Sequence, residues 1–150
     1  MSDFLKRTWA EIDLDAIRHN FRVIEASLAP GSRAMAVVKA DAYGHGAGYV
    51  SRALQEAGAS WFGVSNLDEA MQIRNAGIVE PILILAYTPP EEAARLAAFS
   101  VSQAVLTREY AVRLSEEAVR AGVRVRVHVK VDTGMSRVGL FYQEAGRDDG

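Results

Sequence analysis

The chain has 17 basic side chains, and only three of them are lysine: Lys6, Lys39 and Lys130. Two of the three sit inside valine-rich runs, AMAVVKA at 34–40 and VRVRVHVKVD at 123–132. Genomic base composition accounts for a preference for arginine, but not for where the two lysines stand. Lysine is strongly hydrated and seldom buried without a partner. At the end of an apolar run it either reaches past the strand to solvent or does chemistry. Burial disfavours the ammonium form, and a neutral amine attacks an aldehyde to give a Schiff base.

Strand parity sharpens this reading. In AMAVVKA, Met35, Val37 and Lys39 share one face, and Ala34, Ala36, Val38 and Ala40 share the other. The small face suits packing against helices. Lys39 then stands at the carboxyl end of its strand, where parallel α/β proteins build active sites. The loop that follows, DAYGHG, lacks the glycine spacing of a phosphate loop. Its glycines allow a tight strand-to-helix turn, and the next helix could offer its N-terminus to an anion. In the last run, Arg124, Arg126, His128, Lys130 and Asp132 alternate with five valines. In a barrel that polar row faces inward, which is costly unless the groups pair or serve a site. An antiparallel strand with one wet face gives the same alternation. His45 and His128 have neither metal-pair spacing nor a carboxylate trio, so no metal site is expected. His19 falls on a helix surface, and Asp68 and Glu69 read as helix-start charges.

The elements that must position these groups alternate. TWAEIDL (8–14) reads as a strand. Asp13 or Asp15 caps a helix with Leu14, Ile17, Phe21, Ile24 and Leu28 on one face, ended by Pro30 and Gly31. The strand 34–40 leads through DAYGHG into a helix to about Gly58, with Val50, Leu54 and Ala57 inward. WFGVS (61–65) is a strand, and Ser65 caps the next helix with Asp68 as a capping-box variant. Gly77 closes that helix. PILILAY (81–87) and VSQAVL (101–106) are strands around a helix at 91–99. Thr107 caps a helix to Gly122, and 123–132 is the last strand before the loop DTGMSRVG.

This βα alternation predicts a parallel sheet with helical crossovers, about five βα units long. The more polar first strand belongs outside the main sheet. A closed (β/α)8 TIM barrel needs roughly 250 residues. The 150 residues are therefore either a small doubly wound domain or the N-terminal portion of a barrel. The RDDG end, without a closing element, reads as that of a fragment.

Composition sets the remaining limits. A chain 49% hydrophobic and 24% charged is an ordinary globular one. A net charge of -2 gives no general attraction to nucleic acid or an anionic membrane. The absence of cysteine excludes disulfides and thiolate metal sites, and fits a cytoplasmic protein. The opening MSDFLKRTW lacks the apolar core of a secretory signal, and PILILAY is far too short to span a membrane.

VVKADAYGHG resembles the pyridoxal-phosphate lysine motif of the alanine racemase family. TWAEIDLDAIRHNF is similar to that family's opening segment, PILILAYTPP to its fourth strand and turn, and HVKVDTGMSRVG to its second strong motif. The resemblance covers essentially the whole chain. It implies an N-terminal (β/α)8 barrel followed by a β-rich C-terminal domain, with which the first strand belongs, in a homodimer. It implies that Lys39 holds pyridoxal 5'-phosphate as an internal aldimine and acts as the base on one face of the substrate. Tyr43 would bind the cofactor phosphate, and Arg137 the ring's phenolic oxygen and the substrate. Lys130 matches a position that can be carbamylated, which would let it orient Arg137; an unmodified Lys130 paired with Asp132 is the alternative. The opposite-face base in the family is a tyrosine of the partner's C-terminal domain, which Tyr49, Tyr87, Tyr110 and Tyr142 do not match.

The function so implied is interconversion of L-alanine and D-alanine, supplying D-alanine for peptidoglycan. The alternatives are a racemase of another amino acid such as serine, a decarboxylase or related lyase on the same barrel, and an inactive cofactor-binding fragment.

Overall fold

The computed structural model describes residues 8–142; Lys6 and the RDDG terminus lie outside the described residues. Helix α1 (Leu14–Ala26) starts at Asp13, whose carboxylate accepts the amides of Asp15 and Ala16. Its apolar stripe turns Phe21 inward, and Arg18 pairs with Glu56 at 2.7 Å. Strand β1 (Ala36–Val37) and the single turn α2 (Lys39–Gly44) follow. Next come α3 (Ala47–Glu56), β2 (Phe62–Val64), α4 (Leu67–Asn75) and β3 (Ile82–Ile84). A 3-10 turn (Pro90–Glu92) leads into α5 (Ala93–Ala98), then β4 (Val101–Val105), α6 (Arg108–Arg120) and β5 (Val127–Val129). Two short strands, β6 (Val131–Asp132) and β7 (Leu140–Phe141), form a separate ladder.

The main sheet settles the choice between the two architectures. Its order is β1-β2-β3-β4-β5, and every pair is parallel. A doubly wound sheet reverses direction at a switch point. Here each strand pairs with its sequence neighbour, as in a singly wound barrel. The chain is therefore an arc of a (β/α) barrel.

Strand parity divides the two faces. Phe62 and Val64 of β2, Ile82 and Ile84 of β3, and Val101 of β4 are buried against the helices. They pack on Val50 and Leu54 of α3, Leu67 and Ile73 of α4, Leu96 of α5 and Leu114 of α6. Fully burying one such side chain is worth about 1.5–3 kcal/mol. The alternate positions face the concave side. In β1, Val38 just beyond the strand is 1% exposed on the helix side, whereas Val37 is 38% exposed on the other. Across the concave face, the ring of Trp61 beside β2 meets His128 of β5 edge-on at 5.3 Å. The sheet thus curves enough for side chains three strands apart to touch.

Several expectations need correction. Residues 8–13 form no strand; alternation alone does not make one without a partner to take its hydrogen bonds. The long strands predicted at 34–40 and 123–132 are short, because the chain leaves the ladder after Val38 and enters it only at Val127. The cap of α4 is Asn66, not Ser65: its side chain accepts the amide of Glu69. Gly77, in the left-handed conformation at φ 97°, does close that helix. Thr107 caps α6 as expected.

Candidate active site at the carboxyl ends of the strands

Lys39 stands two residues beyond the end of β1, half-buried, and is the first residue of an unusual turn. Ala40, Asp41, Ala42 and Tyr43 take φ values of 50°, 53°, 53° and 57°, all left-handed. None is glycine, and left-handed helical backbone costs an L-residue roughly 1–2 kcal/mol. Backbone held this way in the absence of glycine persists only where its surroundings over-determine it.

Those surroundings can be named. The amide of Ala42 donates to Val38 O at 2.9 Å, folding the turn back on the strand. The amide of Gly46 donates to Asp41 O at 2.9 Å. The Asp41 carboxylate accepts the Ala47 amide at 2.7 Å, tying the turn to the start of α3, and Gln72 Nε2 of α4 reaches it at 3.3 Å. His45 Nδ1 lies 2.9 Å from Ala42 O and 3.2 Å from Tyr43 O. Because carbonyls only accept, Nδ1 carries the proton. The Glu69 carboxylate accepts the amide of Ala40 at 2.9 Å and that of Ser65 at 2.7 Å.

Among the described residues, no hydrogen bond or ion pair engages Lys39 Nζ. The centroid of the Tyr43 ring lies 6.0 Å from it. Tyr43 itself is 61% exposed. Below Lys39 the concave floor is apolar. A Cβ added at Gly63 would meet Met35 Sδ at 3.2 Å and Val37 Cγ2 and Leu85 Cδ1 at 3.3 Å. The glycine lets these three side chains close over the sheet. An unpartnered amine above an apolar floor fits a flat aromatic aldehyde such as pyridoxal phosphate.

Lys130 and Arg137 occupy the other edge of the arc. The Lys130 amide extends the β4–β5 ladder, donating to Val105 O at 2.9 Å, and its Nζ donates to Val138 O at 2.8 Å. The anticipated Lys130–Asp132 pair does not form. Asp132, 4% exposed, gathers the amides of Gly134, Ser136 and Arg137 at 2.9, 3.0 and 3.1 Å. These bonds, led by that of Gly134, hold its carboxyl below the usual carboxylate range. Its cover is its own loop rather than the protein interior, so hydrogen bonding outweighs desolvation. Arg137 is exposed, its Nε 3.2 Å from Met135 Sδ. No hydrogen bond joins the Lys39–Tyr43 edge to the Lys130–Arg137 edge among the described residues; they share the carboxyl end of the sheet.

Sequence reasoning missed Glu69 and Asp41. Asp68 is indeed a solvent charge, its side chain 92% exposed. Glu69 is not, and the available signal was its place three residues after the capping Asn66. Gly63 carried no signal, because its neighbours come from β1 and from the loop after β3.

Comparison with known proteins agrees with this geometry. The family described as alanine racemase, N-terminal domain, matches residues 12–148. An alanine racemase from Desulfovibrio desulfuricans is 48% identical over 145 residues, covering 97% of this chain and 39% of that protein. The solved alanine racemase of Clostridium difficile 630 superposes with a TM-score of 0.85 at 37% identity, over 95% of this chain and 37% of the other. A histidine racemase from Leuconostoc mesenteroides subsp. sake gives a TM-score of 0.79 at 34% identity, over 85% of this chain and 34% of that one. The chain thus spans less than two fifths of the length of the curated relatives it matches, 36% to 39% in the first two. With its five-stranded parallel arc and its lysine beyond the first strand, the chain belongs to the alanine racemase N-terminal-domain family.

Proposed function

We propose that this chain is the lysine-bearing part of a pyridoxal-phosphate-dependent alanine racemase that interconverts L-alanine and D-alanine. The observation that carries the reading is Lys39, half-buried at the carboxyl end of β1 with no hydrogen-bond or ion-pair partner among the described residues, in a chain of this family. Pyridoxal phosphate, when bound, supplies an electron sink for the charge left on the α-carbon. Lys39 Nζ would be the group that holds it covalently and that takes or returns the α-proton on one face of the substrate. A base at such a position contributes roughly 10²–10⁴-fold to the rate. Tyr43 holds the cofactor phosphate through its hydroxyl, which its exposed place on the α2 turn leaves free for a ligand. Val37 and Leu85, packed over Gly63, would give the cofactor an apolar floor to lie on.

Arg137 would bind the substrate and the cofactor. Lys130 is the residue that orients it, and a carbamate on Lys130 would retain an N–H for Val138 O. The opposite-face proton donor comes, by family resemblance, from the second subunit of a cytoplasmic homodimer, and the product serves peptidoglycan synthesis. No helix among the described residues is long and apolar enough to cross a membrane.

The likeness to a histidine racemase favours one second reading, a racemase of a different amino acid on the same lysine. The test is an assay of the full-length protein with D-alanine, D-serine and D-histidine in separate reactions. Appearance of L-alanine at the highest kcat/KM supports the proposal. A preference for either of the others replaces the substrate and keeps the mechanism.

A further inference from the structure

We propose that Glu69 is a positioning residue for Lys39, acting as a carboxylate splice that closes the β1–β2 ladder where the chain turns away to present the lysine. This inference rests on the role assigned to Lys39 above.

The ladder shows why a splice is needed. In a parallel pair the hydrogen bonds are evenly spaced. Here Ala36 N donates to Trp61 O and Val38 N to Gly63 O, at 2.9 and 2.8 Å. Continued for two residues, the ladder would join Ala40 N to Ser65 O, and Ser65 N to Val38 O. The left-handed turn prevents both. It starts at Ala40, and Ala42 N takes Val38 O instead. Two amides, one on each strand's exit, are thereby orphaned one residue from Lys39 and at the end of β2.

Glu69 captures both. Its Oε1 accepts Ala40 N at 2.9 Å and its Oε2 accepts Ser65 N at 2.7 Å. In a capping box, a glutamate at this helix position turns back to the amide of its own N-cap residue. Glu69 reaches out of its helix instead, while Asn66 alone caps α4. Three residues on, and so on the same face of α4, Gln72 reaches the Asp41 carboxylate at 3.3 Å. One helix face therefore grips the left-handed turn at its first and second residues. The Cα of Lys39 is fixed between β1 and that grip.

The bridging geometry demands a carboxylate. Glutamine has the same shape but offers one acceptor and one donor, so one of the two amides would face an N–H. Aspartate is a methylene too short to span both. The test compares Glu69→Gln with Asn66→Ala in the full-length protein. Asn66→Ala removes the cap bond to the amide of Glu69 and leaves both carboxylate oxygens of the splice in place. For each variant the measurements are the rate of borohydride-trapped pyridoxal phosphate on the Lys39 peptide, the urea midpoint, and kcat and KM separately. The splice predicts that Glu69→Gln slows trapping and lowers kcat at least tenfold with KM within threefold. Asn66→Ala should change both by less than twofold, although it destabilises the fold at least as much. Equal effects of the two variants, or trapping in Glu69→Gln at the wild-type rate, would overturn it. Should Glu69→Gln not fold, wild-type amide exchange decides: protection of Ala40 and Ser65 by tenfold or more supports the splice, and exchange at the free-peptide rate overturns it. Absence of trapping at Lys39 in the wild type would instead sink the role of Lys39, while leaving the exchange result intact.

Discussion

The proposed chemistry rests on few side chains, and each has a separable role. Lys39 is half-buried, and no described residue neutralises it. Replacing it with alanine should abolish covalent cofactor and lower racemisation roughly 10²–10⁴-fold, as read by peptide mass and by chiral assay. Covalent cofactor persisting in Lys39→Ala would remove the lysine from the reaction. Arg137→Ala should weaken cofactor binding and slow turnover, measured by cofactor titration and steady-state kinetics; an unchanged rate would take Arg137 out of the site. Asp132 answers to pH. Its carboxyl sits below the usual range because three amides of its own loop bond the charged form. A depressed folded pKa stabilises above the unfolded value, about 3.9, and the contribution is lost as pH falls through the lower folded value. The 133–137 loop should therefore hold its amide protection at pH 5, and lose it only below the ordinary carboxylate range. Loss of protection between pH 7 and 5 would contradict this account of the loop.

At the scale of elements, the two ends of the sheet divide the labour. Arg74 of α4 sits at the amino end, donating to the carbonyls of Ile78, Glu80, Phe99 and Ser100 at 2.8, 2.6, 3.0 and 3.1 Å. It stitches the entries of β3 and β4 together, far from the chemistry. Arg74→Ala leaves four carbonyls short of a charged donor, and should cost about 2–4 kcal/mol in urea unfolding while leaving kcat unchanged. Loss of kcat without loss of stability would reverse that assignment. The carboxyl end carries the strained turn instead. Ala40→Gly should be neutral or stabilising by up to about 1 kcal/mol, because glycine adopts positive φ freely. The same change at an exposed right-handed residue such as Ala94 should cost about 1 kcal/mol. Equal costs would mean that Ala40 is not held left-handed in solution. The turn was not legible in ADAYGHG, since four of its six left-handed residues, Ala40 to Tyr43, are not glycine. Its grips come from Glu69 and Gln72, 29 and 31 residues away from their partners. Parity in β1 was legible, because alternation of small and larger residues maps directly onto two faces. TWAEIDL forms no strand here, because residues 8–13 find no partner strand among the described residues.

For the whole molecule, sequential parallel order and curvature make the sheet an arc, which gathers Lys39 and Tyr43 on one edge and Lys130 and Arg137 on the other. The barrel class was readable from the βα rhythm; the choice of singly wound over doubly wound needed the strand order, which no local pattern encodes. On the proposed reading, this arc presents one lysine to the cofactor. The most direct test incubates the full-length protein with pyridoxal phosphate, reduces with borohydride, digests, and locates the label by mass. Label on Lys39 alone, with Lys6 and Lys130 unmodified, is the expected result. Label spread over the three lysines, or absent from Lys39, would contradict it.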